Sequence, residues 1–517
     1  MKRYLQEHLI YTLFLAALLP VILLRDATPV NELRYLSIAD EALRNHTFFT
    51  FSNHGLPYAD KPPLYLWAIM LCRWIAGGHR IWLLSLFSLL PAIGIIRTMD
   101  RWVTCETDSG SRALARLMLS TSGLFLGAAA VLRMDMLMCF FIVLSLKMFW
   151  QMSAETGKCG RSRWMFPLSV FLGIFTKGPM GLLIPLCSTT AYLALTGRTG
   201  QFFRYWGLRT WGVLSVCCAV WFGAVYAEGG TEYLHDMLVH QTIDRAVDSF
   251  HHKEPFWYYA VCIWYCMAPW SLIVAGVSAA SLRRVMMHSS LQRFFLTTGV
   301  TTVLLLSCVS SKLQIYMLPA VPFLVYATAM SMPHFKRSRW MLAAVMVPAI
   351  MFIAVLPALY AAVSFGFLPP SDKGMFYVPA AILSLGGTCS LCLLIAGRLK
   401  NGLPGAVRCM GAGMLLAVFA AGWALPKTNA WTGYGMLCAK ALELSHRHGI
   451  SEFRAWRITR PENMDVYLHR PVSVVSEVET PVSGDRPFIL LTRSRELGHF
   501  PDRRTYTVGR FAIVLCP

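Results

Sequence analysis

Apolar runs long enough to cross a bilayer recur from one end of this chain to the other. A bilayer leaves few structural choices, because every backbone polar group in the hydrocarbon must be bonded internally. The runs therefore read as α-helices. The charge content agrees. Only 14% of the 517 residues are charged, against about a quarter in a soluble domain, and the mean hydropathy is +0.51. The expected fold is a polytopic α-helical membrane protein. A formal net charge of +20 raises nucleic acid as a partner. Many Lys and Arg, however, sit in short loops between spans, where they orient the chain. No long exposed basic tract is present, so no nucleic-acid partner is expected.

The basic clusters set the topology. Lys2-Arg3 precedes an apolar run at 9–24 that ends in Arg25-Asp26 without a small-residue cleavage motif, so it reads as an uncleaved first span entering from inside. Residues 25–62 then form the first outer loop. At 32–45, Leu33, Leu36, Ala39, Ala42 and Leu43 recur at helical spacing among polar neighbours, which predicts a helix lying on the membrane surface. Asn53-His54-Gly55-Leu56-Pro57 predicts a turn. Two apolar runs between 63 and 96 are broken by Gly77-Gly78-His79-Arg80. An odd number of crossings is needed there, so one reads as a span and one as an interfacial helix.

Arg97, Arg101, Arg112 and Arg116 mark the next inside loop. Further spans are expected near 117–131, 136–152, 164–176, 181–197, 210–227, 257–279, 294–309, 317–332, 341–363, 377–397 and 409–425. That makes about thirteen, with the N-terminus inside and the C-terminus outside. Basic clusters mark alternate loops, as the positive-inside rule requires, and the remaining short polar motifs all fall on the opposite face. The transmembrane domain is taken as 1–429. Residues 430–517 are polar, with short alternating runs at 453–458, 472–475, 488–491 and 505–514 and a helix at 439–446, and predict a small outer α/β domain. Most of the fifteen Cys lie inside apolar runs, as small buried hydrophobes. Cys438 and Cys516 fall in the polar C-terminal region, where they either pair or remain free thiols.

The outer face gathers cations at Arg34, Lys61, Arg133, Lys177, Arg245, Lys253 and Lys312, and carboxylates at Glu32, Asp60, Asp135, Asp244 and Glu254. Ionisable groups at a membrane are costly and tend to be functional. Cations suit a developing phosphate anion, and a carboxylate can serve as general base. No Ser/His/Asp elbow or phosphate-cradling glycine loop is present, which weakens hydrolase and nucleotide-triphosphatase readings. His251 and His252 are adjacent, and adjacent side chains point apart on regular elements, so a solvated loop competes with a metal ligand pair.

Six motifs run in order along this face: Asn31-Glu32-Leu33-Arg34-Tyr35, Asp60-Lys61-Pro62-Pro63-Leu64, Arg133-Met134-Asp135, Lys177-Gly178-Pro179, Pro269-Trp270-Ser271 and Ser311-Lys312-Leu313-Gln314-Ile315-Tyr316-Met317-Leu318-Pro319. Together they resemble the GT-C glycosyltransferases of the bacterial aminoarabinose (lipid A) transferase and protein O-mannosyltransferase kind. The resemblance covers residues 1–330 in register. It implies a polyprenyl (undecaprenyl) phosphate sugar donor, no nucleotide sugar, and inverting transfer on the periplasmic face of the inner membrane. Lipid A or another envelope glycolipid is the implied acceptor, with a protein hydroxyl as the rival.

By the same resemblance, Arg34, Lys61, Arg245, Lys312 and Tyr316 hold the donor phosphate, with Lys177 and His240 in support. Asp60 orients Lys61 or helps hold a divalent metal; no other cofactor is implied. The family carries an Asp-Glu pair ahead of Arg-Tyr, and this chain has Asn31 and Glu32. Asn cannot act as a base. Either Glu32 or Asp135 takes that role, or the acceptor needs none, since a phosphate monoester with a second pKa of about 6 is already an anion. Each motif also has a plainer reading. Asp60-Lys61 is a surface ion pair beside a helix start, and Asp135 is a helix-end charge. Lys312 and Tyr316, four apart on one helical face, form an interfacial anchor pair. A lipid-linked-sugar flippase would spread charges along a path through the bilayer, whereas these cluster on one face. A non-catalytic sensor is kept open by Asn31.

Overall fold

The computed structural model describes residues 2–153, 159–239, 253–283, 289–335, 338–366, 373–397, 402–475 and 487–516. They form two compact units. One comprises Met1–Leu19, Ala59–Tyr65 and Ser85–Ala421, the other Pro20–Tyr58, Leu66–Leu84 and Gly422–Pro517.

The first unit is helical. Along the chain, α1 (Lys2–Leu24) is followed by α2 (Glu32–Asn45) and α3 (Leu64–Ala76), which lie wholly or mostly in the second unit, and then by α4 (Ile81–Trp102), α5 (Ser109–Ser120), α6 (Gly123–Ala130), α7 (Asp135–Ser153), α8 (Cys159–Lys177), α9 (Met180–Leu195) and α10 (Leu208–His235). Then follow α11 (Tyr258–Cys266), α12 (Ser271–Arg283), α13 (Ser290–Cys308), α14 (Ala320–Phe335), α15 (Arg339–Ser364), α16 (Lys373–Ala396) and α17 (Gly402–Gly422). Among the described residues, seven helices are long and apolar enough to cross a membrane, and eight if α5 and α6, bent by 61°, act as one. The figure of about thirteen spans includes runs that fold as shorter apolar helices, such as Leu64–Ala76 and Met180–Leu195.

Two expected spans are corrected. The run at 257–279 is two helices, α11 and α12, separated by a turn with a cis Ala268-Pro269 bond. Pro269 lacks the amide a helix interior needs. The turn is bonded across the bundle instead, as Gly123 N donates to Ala268 O at 2.9 Å and Trp270 Nε1 to Thr121 Oγ1 at 2.9 Å. The run at 317–332 starts as a 3-10 turn, Gln314–Met317, and becomes helical only at Ala320. Elsewhere aromatic rings lock helices together. Trp102 meets Phe295 edge-on at 4.9 Å and Phe294 at 6.0 Å, contacts worth about 0.5–1.5 kcal/mol each beyond simple burial.

In the second unit, α2 has the bounds its spacing predicts and buries Leu33, Leu36, Ile38, Ala39 and Ala42. It stops at His46, whose left-handed backbone returns its N–H to Ala42 O. A hairpin of β1 (Ser52–Asn53) and β2 (Leu56–Pro57) follows. His54 and Gly55 take φ of 56° and 79° at its tip, the backbone a two-residue hairpin turn demands.

The C-terminal region opens with α18 (Leu425–Thr432) and α19 (Gly435–His448). Its strands are β3 (Glu452–Trp456), β4 (Val472–Val475), β5 (Phe488–Arg493), β6 (Thr505–Val508) and β7 (Phe511–Cys516). They form one sheet in the order β4-β3-β5-β7-β6. β3 is parallel to both β4 and β5, while β7 is antiparallel to β5 and β6. The run at 505–514 is two strands, turned at Gly509 with φ 57°. Trp456, Phe488, Leu490, Val514 and Cys516 form a core on the sheet. Cys438 and Cys516 are both buried free thiols, so the pairing alternative falls.

The Asp26 carboxylate accepts from Gly435 N at 2.7 Å, from Ala27 N at 2.8 Å and from the Tyr467 hydroxyl. This staples the segment that follows α1 to α19. A side chain at Gly433 or Gly435 would collide with that carboxylate.

Candidate functional site

In the first unit a buried charge cluster forms where α7, α8 and the 3-10 turn meet. Asp135 opens α7 and is 2% exposed. Ahead of it, Ser88 Oγ donates to the carbonyls of Val131 at 2.6 Å and Arg133 at 3.4 Å, fixing the turn. Arg133 Nε lies 3.2 Å from one Asp135 oxygen, and Lys177 Nζ forms an ion pair with the other. The Lys177 ammonium also sits 4.3 Å from the Tyr316 ring centroid, an attractive contact for a cation. Lys61 Nζ is 2.8 Å from Asp60, and its charge lies close enough to act on Lys177.

Local sequence explains how Lys177 gets there. It ends α8, where a cation complements the helix dipole. Gly178 follows with φ 98°, and its N–H closes onto Ile174 O at 2.7 Å. The chain then turns straight into α9, where a Cβ on Gly181 would lie 2.2 Å from the Gly173 carbonyl carbon. Only glycine permits that approach.

Three cations, Lys61, Arg133 and Lys177, thus share two carboxylates, Asp60 and Asp135. Such preorganised positive charge in a poorly solvated place suits an oxyanion that develops there. Removing one partner of a buried pair typically costs about 3–5 kcal/mol, because the other charge is stranded.

Lys312 does not share a helical face with Tyr316, which corrects the spacing argument. Leu313 is extended, with φ −135° and ψ 141°, so the two side chains diverge in role. Lys312 is 4% exposed and donates to Glu254 O at 2.9 Å, beside a bridge between Lys253 and Ser311. Tyr259 donates its hydroxyl to Leu313 O at 3.2 Å and holds the same stretch. Arg245 and His240 lie outside the described residues, as do His251 and His252. Among the described residues, no group of three or more His, Cys, Asp and Glu is arranged to hold a metal, and the Asp60 carboxylate faces Lys61.

Asn31, Glu32 and Arg34 belong to the second unit. Asn31 precedes α2 without a side-chain cap bond. Glu32 is 1% exposed. Its Oε2 accepts from Arg25 Nη1 at 2.7 Å and from Thr28 N at 2.7 Å. That is the environment of a carboxylate holding a loop, and the base role expected of Glu32 finds its oxygen already engaged. The Arg34 guanidinium lies 5.6 Å from both the Tyr35 and the Tyr58 ring centroids.

Sequence reasoning passed over three polar clusters in this unit. Glu41 accepts from Ser52 Oγ at 2.5 Å, His54 N at 2.6 Å and Gly55 N at 2.9 Å. Burial opposes its charge, yet these donors hold its carboxyl below the ordinary range. Burial likewise opposes the charge of Asp40, but His79 at 2.9 Å and Arg73 at 3.0 Å outweigh it and hold the carboxyl below the ordinary range. Ser37 donates to Asp465 at 2.9 Å. There burial wins, and the Asp465 carboxyl is pushed up despite Ser37 and the nearby His54 charge. Asp465 lies 428 residues from Ser37, so no local pattern could have linked them.

No protein-family model matches the chain. Curated relatives and solved structures do. An undecaprenyl phosphate-alpha-4-amino-4-deoxy-L-arabinose arabinosyl transferase of Edwardsiella ictaluri is 27% identical over 301 residues, covering 56% of this chain and 52% of that protein. The chain thus spans about half the length of that relative. A protein of the same name from Pseudomonas fluorescens is 23% identical over 464 residues, 84% of this chain and 77% of that one. The crystal structure of ArnT from Cupriavidus metallidurans bound to undecaprenyl phosphate matches with a TM-score of 0.76 at 17% identity, over 98% of this chain and 97% of that one. Its apo state gives 0.74. The chain therefore has the GT-C fold of the ArnT structures and is similar in sequence to proteins named as aminoarabinose transferases.

Proposed function

We propose that this chain is a glycosyltransferase that moves a sugar from a polyprenyl phosphate to an acceptor on the periplasmic face of the inner membrane. The observation that carries the reading is the buried cluster of Arg133, Asp135 and Lys177 beside Lys61 and Tyr316. As the glycosidic bond to phosphate breaks, negative charge grows on the leaving phosphate, and cations fixed in place stabilise it without reorganising. Lys177 and Lys61 are the donor-phosphate groups, Arg133 and Asp135 hold Lys177 in register, and inversion follows from one direct displacement. Arg245 and Lys312 remain proposed donor contacts, with His240 in support.

The acceptor is the lipid A class, through a phosphate. Both carboxylates proposed as base are occupied, Glu32 by Arg25 and a backbone amide, Asp135 by two cations. A phosphate monoester needs no base near neutrality, whereas a protein hydroxyl does. The relatives named for undecaprenyl phosphate-linked aminoarabinose support the same donor class. The test is lipid A mass spectrometry on a deletion strain carrying either the wild-type gene or Lys61→Ala. An added pentose- or hexose-sized mass should return with the wild type alone. If lipid A is identical in all strains, the lipid A assignment is wrong.

A further inference from the structure

The C-terminal sheet carries a second charged site, apart from the donor cluster. Its parallel part has the order β4-β3-β5, so the chain leaves β3 towards one side for β4 and returns to the other side for β5. In open α/β sheets, ligands bind outside the carboxyl ends of the strands where the winding direction switches. Here that point lies between the segments following β3 and β5.

Those two segments, with the turn into β7, bring five arginines to one end of the sheet. Arg457 and Arg460 follow β3. Arg493 ends β5 and Arg495 follows it. Arg510 precedes β7, whose first residue, Phe511, pairs with Arg493. The carbonyl of Arg510 is tied to Ser494 N at 2.9 Å and to Ser494 Oγ at 3.0 Å. Arg493 Nη2 reaches Thr459 Oγ1 at 3.4 Å, joining the two segments.

The charge is anchored from beneath. Glu496 is 5% exposed and pairs with Arg457 at 2.7 Å and Arg495 at 3.0 Å. The Arg457 and Arg495 side chains are nonetheless 54% and 70% exposed, and that of Arg460, which lies 3.5 Å from Glu462, is 58% exposed. Arg457 and Arg460 also take φ of 55° and 52°. A non-glycine residue in that region carries backbone strain that the surrounding structure must hold. All five cations are arginine. The planar guanidinium fork matches phosphate oxygens two at a time, which a lysine cannot do.

We propose that this end of the sheet binds the phosphate-bearing saccharide head of the acceptor glycolipid. Arg457 and Arg495 would grip one phosphate and Arg460 and Arg493 another. The assignment of the ligand to the acceptor rests on the transferase reading above; the anion site itself does not.

The probe is a soluble, deacylated disaccharide bisphosphate, titrated into the full chain held in discs of zwitterionic lipid. The comparison is Arg460→Gln/Arg495→Gln, which leaves the Arg457–Glu496 pair intact. Wild type should bind the probe at least tenfold more tightly than the double variant, with inorganic phosphate much weaker for both. Arg460→Lys/Arg495→Lys should fall between them, because charge is kept and the fork is lost. An unchanged thermal transition in the variants excludes a folding effect. Equal affinity for wild type and the glutamine variant would overturn the site. Loss of wild-type binding when phosphatidylglycerol is added to the disc would assign the arginines to the bilayer and overturn the acceptor assignment. Undecaprenyl phosphate is measured on the same samples. If it binds neither protein, the transferase reading fails while the saccharide result stands by itself.

Discussion

Asp135 balances two cations in a place with almost no solvent. Asp135→Asn should strand Lys177 and Arg133 and cost about 3–5 kcal/mol of stability. Lys177→Met should strand the carboxylate less severely, because Arg133 remains. Combining the two should restore much of the stability but none of the activity. A double-mutant cycle of thermal unfolding in detergent measures the coupling, and simple additivity would show that the pair is not the structural unit described. Glu32 offers the contrast. Glu32→Gln keeps an oxygen for Thr28 and Arg25 but loses the charge. The expectation is a loss of about 1–3 kcal/mol with the turnover of folded protein unchanged. A hundredfold fall in turnover at unchanged stability would return the base role to Glu32.

At the scale of elements, α2 is bonded to the segment after β3 through Ser37 and Asp465. Burial raises the Asp465 carboxyl, and Asp465 Oδ1 is buried without a hydrogen bond. A raised carboxyl contributes stability at low pH, where it is protonated, and that contribution fades as pH rises through its folded value. Glu41 has the opposite sign. Its carboxyl is lowered, so its contribution is present above the ordinary carboxylate range and is lost as pH falls through the folded value. Asp465→Asn should therefore gain stability at pH 7, by about 2–4 °C in midpoint for each kcal/mol recovered. At pH 4 it should match the wild type. A gain that is the same at both pH values would mean that Asp465 ionisation is not the cause.

Elements were legible where one period ruled the local sequence. The 3.6-residue spacing of Leu33, Leu36, Ala39 and Ala42 places α2, and short alternating runs place the sheet strands. Legibility failed where tertiary bonds replaced helical ones. Lys312 and Tyr316 have helical spacing, but Leu313 between them is extended and a 3-10 turn begins only at Gln314, with Lys312 and Leu313 bonded to Glu254 and Tyr259.

For the whole molecule, hydropathy and alternating basic loops specify a helical membrane protein, and the short charged motifs contain Lys61, Asp135, Lys177 and Tyr316 before any fold is known. Their mutual geometry was not legible, since Asp135 and Lys177 are 42 residues apart and meet only through the α7–α8 packing. Nor could sequence say that Glu32 would be consumed by Arg25, a contact set by the turn into α2.

On the proposed reading, the buried cluster discharges a sugar from a lipid phosphate. The measurement that meets it most directly is release of polyprenyl phosphate from a synthetic polyprenyl-phosphate pentose by purified protein, with a lipid A acceptor added. Wild type and Lys177→Ala should be compared at matched folded fraction. The wild type should give acceptor-dependent release and the variant should lose at least a hundredfold, about 2.7 kcal/mol of transition-state stabilisation. Equal release by the two proteins would contradict that reading.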